Sequence, residues 1–306
     1  MDNLITQLTF ADDILNLVFL ILSRFAFIAL AAIGLAIIFG TMGVINLAHG
    51  EFVLIGMYAT TLSVNKLGIP FVASVLIGTL ATTIFGVMIE RVLIRHLYNR
   101  LLDSMVVTWG VGLIISQLLL ILFGSTIQGV GLPFGAISYG KYSTVVYRSI
   151  VLPVVLIGML VFIYLLFTRT TFGMKARATI DDPETAEAMG VDTTRVYLLT
   201  FALGSAITGA AGGLAAPLLA VTPETGSIFL AEAFIAVVIG GSSVLIGTVS
   251  AAGLLGVIDG IFRTAYGAFL GRVSLLCVAI LAIRFLPSGI SGYINTIRQR
   301  RKEKSQ

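Results

Sequence analysis

Cysteine, histidine and charge are scarce in this chain, and each scarcity excludes a class of function. The single cysteine, Cys277, lies in an apolar run, so there is no intrachain disulfide framework and the thiol reads as a small hydrophobe. Two histidines, His49 and His96, without a Cys/His cluster leave no metal site of familiar spacing. Paired catalytic carboxylates and a nucleophile elbow are missing too. The nearest spelling of a phosphate loop, GAISYGKY at 135–142, puts Tyr142 where a magnesium-binding Ser or Thr is required. These absences predict no catalytic residue, no metal ligand and no cofactor-binding residue in this chain.

Apolar length is what the sequence has in abundance. Of its 306 residues 58% are hydrophobic and 11% charged, and the mean hydropathy of +1.05 is far above that of a soluble globular chain. A helix crosses the ~30 Å hydrocarbon layer with ~20 apolar residues. Spans are expected near 14–41, 45–64, 71–93, 104–123, 149–168, 196–219, 228–258 and 268–286, with 228–258 interrupted and re-entrant in type. The runs are long and lack the polar alternation of a membrane barrel. The expected fold is an all-α integral membrane protein of about eight transmembrane helices, some broken or re-entrant, forming one domain over 1–306. No basic segment precedes the first apolar run, so it is expected to stay in the mature protein.

Lys and Arg accumulate in cytoplasmic loops, which orients the chain. Arg91, Arg95 and Arg100 flank one connection, Arg169, Lys175, Arg177 and Arg195 another, and Arg298, Arg300, Arg301, Lys302 and Lys304 fill the 293–306 tail. The start carries Asp2, Asp12 and Asp13 without a base, 219–227 has no Lys or Arg, and 124–148 has only Lys141 and Arg148. An external N-terminus and a cytosolic basic tail follow as expectations. The net charge of +4 belongs to membrane ends, where it orients the protein and meets anionic lipid, so nucleic acid is not an expected partner.

Most of the 33 glycines fall inside the spans, where small residues let helices approach. In GTMG (40–43) and IGGSSVLIG (239–247) they also interrupt the apolar run, which is tolerated at membrane depth only beside protein or a water-lined cavity. Asn46, His49 and Glu51 lie just beyond the first of these, and ionisable groups in a bilayer are costly unless paired or hydrated. They are candidates for the transport pathway, with Trp109 and Glu232; the plainer reading is that the 40–51 group caps helices near the inner face. Gln117 and Asp259 are further buried polar residues, Glu232 serves equally as a mouth residue or a cap, and Arg24, Arg263 and Arg272 read as side chains reaching for an interface.

One hydrophilic interval, 169–195, breaks the apolar pattern in mid-chain. Asp182 then Pro183 spell an N-cap and first helical residue, Glu184 and Glu187 suit the opening turns, and Gly190 suits a C-terminal cap. A rigid two-turn helix on the inner face is expected, one that docks onto another polypeptide. Ionisable groups are sparse in the spans, whereas gradient-driven carriers keep several there, so energy is expected from outside the chain.

NLAHGEF, RATIDDPETAEAMGVDTTRV, FALGSAITGAAGGLAAP, VIGGSSVLIGTVSAAGLLG and FLPSGISG together resemble the inner-membrane permeases of branched-chain amino-acid-type ABC importers. The resemblance spans about 25 to 292. It implies a multi-pass protein of the bacterial inner membrane, partnered by a second related permease, two cytosolic ATPase subunits that bind ATP and Mg, and a periplasmic solute-binding protein. It also implies that Asp181, Asp182, Pro183, Glu184, Glu187 and Gly190 form the coupling helix seated in the ATPase. Stretches 97–114 and 267–276 look closer to urea-type permeases, which leans the cargo toward urea or short amides, with branched-chain or neutral amino acids as the alternative. The competing classes are an ion-coupled carrier or channel working alone and a structural or sensory membrane protein.

Overall fold

The computed structural model describes residues 2–98, 100–139, 142–241, 246–285 and 289–292. Apolar runs become helices because backbone N–H and C=O groups find no water in hydrocarbon and must bond within their own segment. The helices are α1 (Asp2–Met42), α2 (His49–Leu67), α3 (Phe71–Val92), α4 (Leu101–Phe123), α5 (Leu152–Arg169, entered through a π turn at Tyr147–Val151), α6 (Thr171–Asp181), α7 (Pro183–Ala188), α8 (Thr193–Ala215), α9 (Thr225–Gly240), α10 (Ile246–Tyr266) and α11 (Ala268–Phe285). A short hairpin, β1 (Ala136–Tyr139) and β2 (Tyr142–Val145), pairs antiparallel before α5 and absorbs most of the GAISYGKY segment. The protein is an all-α membrane protein: six helices are long and apolar enough to cross a bilayer, α9 and α11 are shorter apolar helices, and α2 is sheltered by its neighbours.

The expected interrupted span 228–258 is two helices, not one. α9 ends at Gly240 with Gly241 at φ +76°, and α10 begins at Ile246. Gly240 lies against Gly247 and Thr248 near the turn, while Glu232 and Asp259, farther along each arm, both reach Arg24 of α1, so the arms run antiparallel. The described residues therefore hold nine apolar helices where eight spans were expected. Part of the 239–247 break (242–245), part of the FLPSGISG motif (286–288) and the 293–306 tail lie outside the described residues.

α1 is the central pillar. Its Ala-rich stretch Ala26–Ile38 is almost wholly buried, against α5, α8, α9 and α10. Around it α8 packs on α1, α2 and α3 together. That triple contact needs small residues. A side-chain carbon on Gly56 of α2 would overlap the backbone of Gly209 on α8, so the two helices touch main chain to main chain there. α4 and α5 are peripheral, with much of their apolar surface turned outward.

Gly56→Val is expected to destabilise the bundle by about 1–3 kcal/mol through overpacking. Gly158→Ala on α5, where an added carbon meets nothing within 4 Å, is the neutral control. Thermal unfolding of the purified variants in detergent checks both; an unshifted Gly56→Val would mean that α2 and α8 are not in close contact.

Candidate functional site

The hydrophilic interval folds into two helices instead of the single one expected. α6 follows α5 after Thr170, whose side-chain oxygen accepts from the Gly173 amide, and Asp182 breaks it from α7. Asp182 Oδ1 then accepts from the amides of Glu184 (3.1 Å) and Thr185 (3.2 Å), and Pro183 opens α7 at the position where its missing N–H costs nothing. At the other end Gly190 takes φ +84°, a conformation that disfavours any side chain, while Val191 N–H bonds Ala186 O at 3.0 Å and Gly190 N–H bonds Glu187 O at 2.9 Å. This pair closes α7 as a Schellman cap. Every α7 side chain but Ala186 and Pro183 is exposed, as are Asp181, Asp182 and Gly190, and Met189 keeps 81% of its surface.

α7 is not free to swing. The Glu187 carboxylate accepts from the Thr193 hydroxyl at the first turn of α8, and Asp192 caps α8 by accepting from Arg195 N–H at 3.0 Å. Those bonds fix the short exposed helix to the long helix that lies against α1, α2 and α3.

The 40–51 segment shows why α1 and α2 are separate. Gly43 turns the chain at φ +62°, and 43–48 is non-helical yet buried at Val44, Asn46 and Ala48. His49 Nε2 bonds Ala31 O at 2.7 Å. Ala31 is eleven residues before Met42, so at 1.5 Å per residue α2 starts roughly 16 Å up α1 from the Met42 end. Irregular backbone at that depth is bearable because protein surrounds it. Asn46 Oδ1 accepts from Ala48 N–H at 3.0 Å, and the Thr108 hydroxyl accepts from Leu47 N–H at 3.0 Å. Asn46 and His49 are thus turned inward to the protein.

Glu51, two residues on, is turned the other way. It lines a cleft of about 550 Å³ with Leu47, Trp109, Leu113, Ser116, Gln117 and Glu224 among its walls, between α2, α4 and the start of α9. Ser116 Oγ donates to Glu51 Oε1 at 3.3 Å, whereas Oε2 lies beside Gly112 and has no hydrogen-bond partner among the described residues. Trp109 is 58% exposed at the lip. Of the five pathway candidates, then, the structure brings together Glu51 and Trp109.

Glu232 belongs to a different cluster. Arg24 donates to Asp259 Oδ2 at 2.5 Å and to Glu232 Oε1 at 3.0 Å, and Arg263 donates to both Asp259 oxygens at 3.1 Å. The Arg24 guanidinium also lies 5.4 Å from the Phe27 ring centroid. Arg24 and Arg263 therefore do not reach for the interface as expected; two cations and two anions neutralise one another and tie α1 to both arms of the α9–α10 hairpin.

A family model for the permease component of the branched-chain amino acid transport system matches residues 17–284. The chain belongs to that family. Curated relatives include the high-affinity branched-chain amino acid transport permease BraD of Pseudomonas aeruginosa (29% identical, over 86% of this chain and 91% of the relative). LivH of Salmonella typhimurium (30% identical) and LivH of Escherichia coli K12 (29% identical) match with the same two coverages. No solved structure matches. The relatives are permease subunits, not enzymes.

Sequence reasoning singled out Gln117 as a buried polar residue but missed Ser116 and Glu224 as cleft residues and the Arg24–Asp259 pairing. The first had a signal, because Trp109, Leu113, Ser116 and Leu120 recur at helix spacing on one face of α4. The second had only the equality of charges, which says nothing of partners 235 positions apart.

Arg24→Gln is expected to cost about 3–5 kcal/mol, because it leaves the buried Glu232 carboxylate without its cation while Asp259 keeps only Arg263. Arg24→Lys should retain part of that stability; equal melting of all three proteins in detergent would contradict the pairing. The hydrogen bonds from Thr185 and Glu184 hold the Asp182 carboxyl below its ordinary 3.8. A depressed folded pKa stabilises α7 fully above the unfolded value, so this contribution should fade only as pH falls below about 4. Hydrogen exchange of the α7 amides should follow that course in the native chain and lose it in Asp182→Asn.

Proposed function

We propose that this chain is the membrane-spanning subunit of an ATP-driven importer for branched-chain or neutral amino acids. In this reading it works with a second related permease, two cytosolic ATP-binding subunits and a solute-binding protein, with the N-terminus outside and the C-terminus in the cytosol. ATP and Mg are held by the partners. The cargo assignment follows the named substrates of the BraD and LivH relatives, which match over most of both chains. The lean toward urea drawn from 97–114 and 267–276 has no support among them, and the amino-acid alternative fits better.

The observation that carries the reading is α7: exposed, capped at both ends and bonded through Glu187 to α8. Asp181, Asp182, Pro183, Glu184, Glu187 and Gly190 form the face and ends of the coupling helix. Force applied there by a nucleotide-driven partner passes into α8, which lies against α2, the helix that carries Glu51. The cleft beside Glu51 and Trp109 is the stretch of pathway contributed by this subunit. Opening and closing it by rigid movement of packed helices is ordinary hinge and shear behaviour.

Glu187→Ala cuts the α7–α8 bond, and Gly190→Val strains the cap. In proteoliposomes holding the whole transporter, each should lower ATP-driven leucine uptake at least tenfold while the permease stays inserted and assembled. Normal uptake in both variants would refute the coupling role, and uptake by this chain alone without ATP would favour an independent carrier.

A further inference from the structure

The cleft walls carry charge of one sign. Two carboxylates line it, Glu51 toward its base and Glu224 at its edge, and no Lys, Arg or His is among its described lining residues. Ser116 and Gln117 add neutral hydrogen-bonding groups, and Leu47, Leu113, Leu120, Leu230 and Trp109 supply apolar surface. Elsewhere in the membrane interior the carboxylates of Glu232 and Asp259 are matched by Arg24 and Arg263. Glu51 has no such cation among the described residues. Its one side-chain partner there is Ser116, and its second oxygen is left without a partner beside Gly112, where a larger residue would crowd it.

A carboxylate held at membrane depth without a counter-charge is costly unless water or a ligand completes it. Glu51 stands in the first turn of the 19-residue helix α2, where the positive end of the helix dipole offsets part of that cost and leaves the negative charge available. An apolar wall beside a lone carboxylate suits a molecule with an ammonium group and a short aliphatic body, and it repels anions.

Resting on the pathway reading above, we propose that Glu51 is a specificity-determining residue that receives the ammonium group of the cargo during passage, with Ser116 orienting the carboxylate and Leu113, Leu120 and Trp109 accepting the aliphatic side chain. Glu224 concentrates the same charge class at the cleft edge. The site selects for an amino group and against simple carboxylates of equal size.

The test uses the full transporter in proteoliposomes, in a Cys277→Ser background carrying Leu113→Cys on the cleft wall. The probes are two methanethiosulfonates, one bearing trimethylammonium and one bearing sulfonate, each rate divided by the reagent's rate with free cysteine. The cationic reagent should be favoured at least tenfold, and Glu51→Gln, which keeps the size and the Ser116 bond, should remove most of that preference. Glu51→Gln in the native background should also lower leucine uptake at least tenfold while the permease stays inserted and assembled with its partners. An unchanged reagent ratio in Glu51→Gln, a thiol that reacts with neither reagent, or full uptake by Glu51→Gln would each overturn the inference. Failure of the unmutated transporter to take up leucine would instead defeat the cargo assignment, and the reagent ratio would still report whether the cleft favours an ammonium group.

Discussion

The structure depends on how closely α8 lies against α1, α2 and α3. In water, hydrophobic burial would hold four helices together; in lipid that driving force is absent, and contact area between small residues takes its place. Gly56 facing Gly209 brings two backbones into direct contact, and Ser205 beside Gly86 extends the seam to α3. A seam of this kind resists gradual deformation, because a shift of a fraction of an ångström either separates atoms or drives them together. Movement imposed on one helix must therefore be shared by the others.

The proposed coupling role of a six-residue helix rests on this rigidity. α7 is joined to α8 by the Glu187–Thr193 bond and by the Asp192 cap, without a flexible linker between them. α8 runs on into the seam, and α2 on its other side presents Glu51 to the cleft. The neutral cluster of Arg24, Glu232, Asp259 and Arg263 does the corresponding job on the far side of α1, locking the α9–α10 hairpin without leaving net charge in the bilayer. α4 packs mainly on α2 and turns Trp109, Leu113, Ser116, Gln117 and Leu120 toward the cleft, so its position can change with little loss of contact.

Local chemistry was legible in the sequence wherever a few neighbouring residues determine it. Asp182, Pro183 and Gly190 announced α7 and both its ends, because capping is decided within one turn. The interruption at GTMG was legible for the same reason. What the sequence hid was set by distant partners. α6 was lost in the polar interval because its weak pattern is carried by only Gly173, Ala176 and Thr179 on the buried side. The 228–258 stretch was legible as interrupted near 239–247 but not as two antiparallel helices, because apolar length does not show how the two parts pack. Asn46, His49 and Glu51 are alike as polar residues near a helix start, yet only Glu51 reaches the cleft, a difference fixed by α1 and α4.

The central claim is that the motive force enters from a separate nucleotide-hydrolysing partner through α7. A photo-crosslinking residue in place of Met189, whose side chain is 81% exposed at the end of that helix, reads this directly in the assembled transporter. The account predicts covalent capture of an ATP-binding subunit, with a yield that changes when ATP is added. Capture of lipid alone, with the ATP-binding subunits present and never labelled, would contradict it.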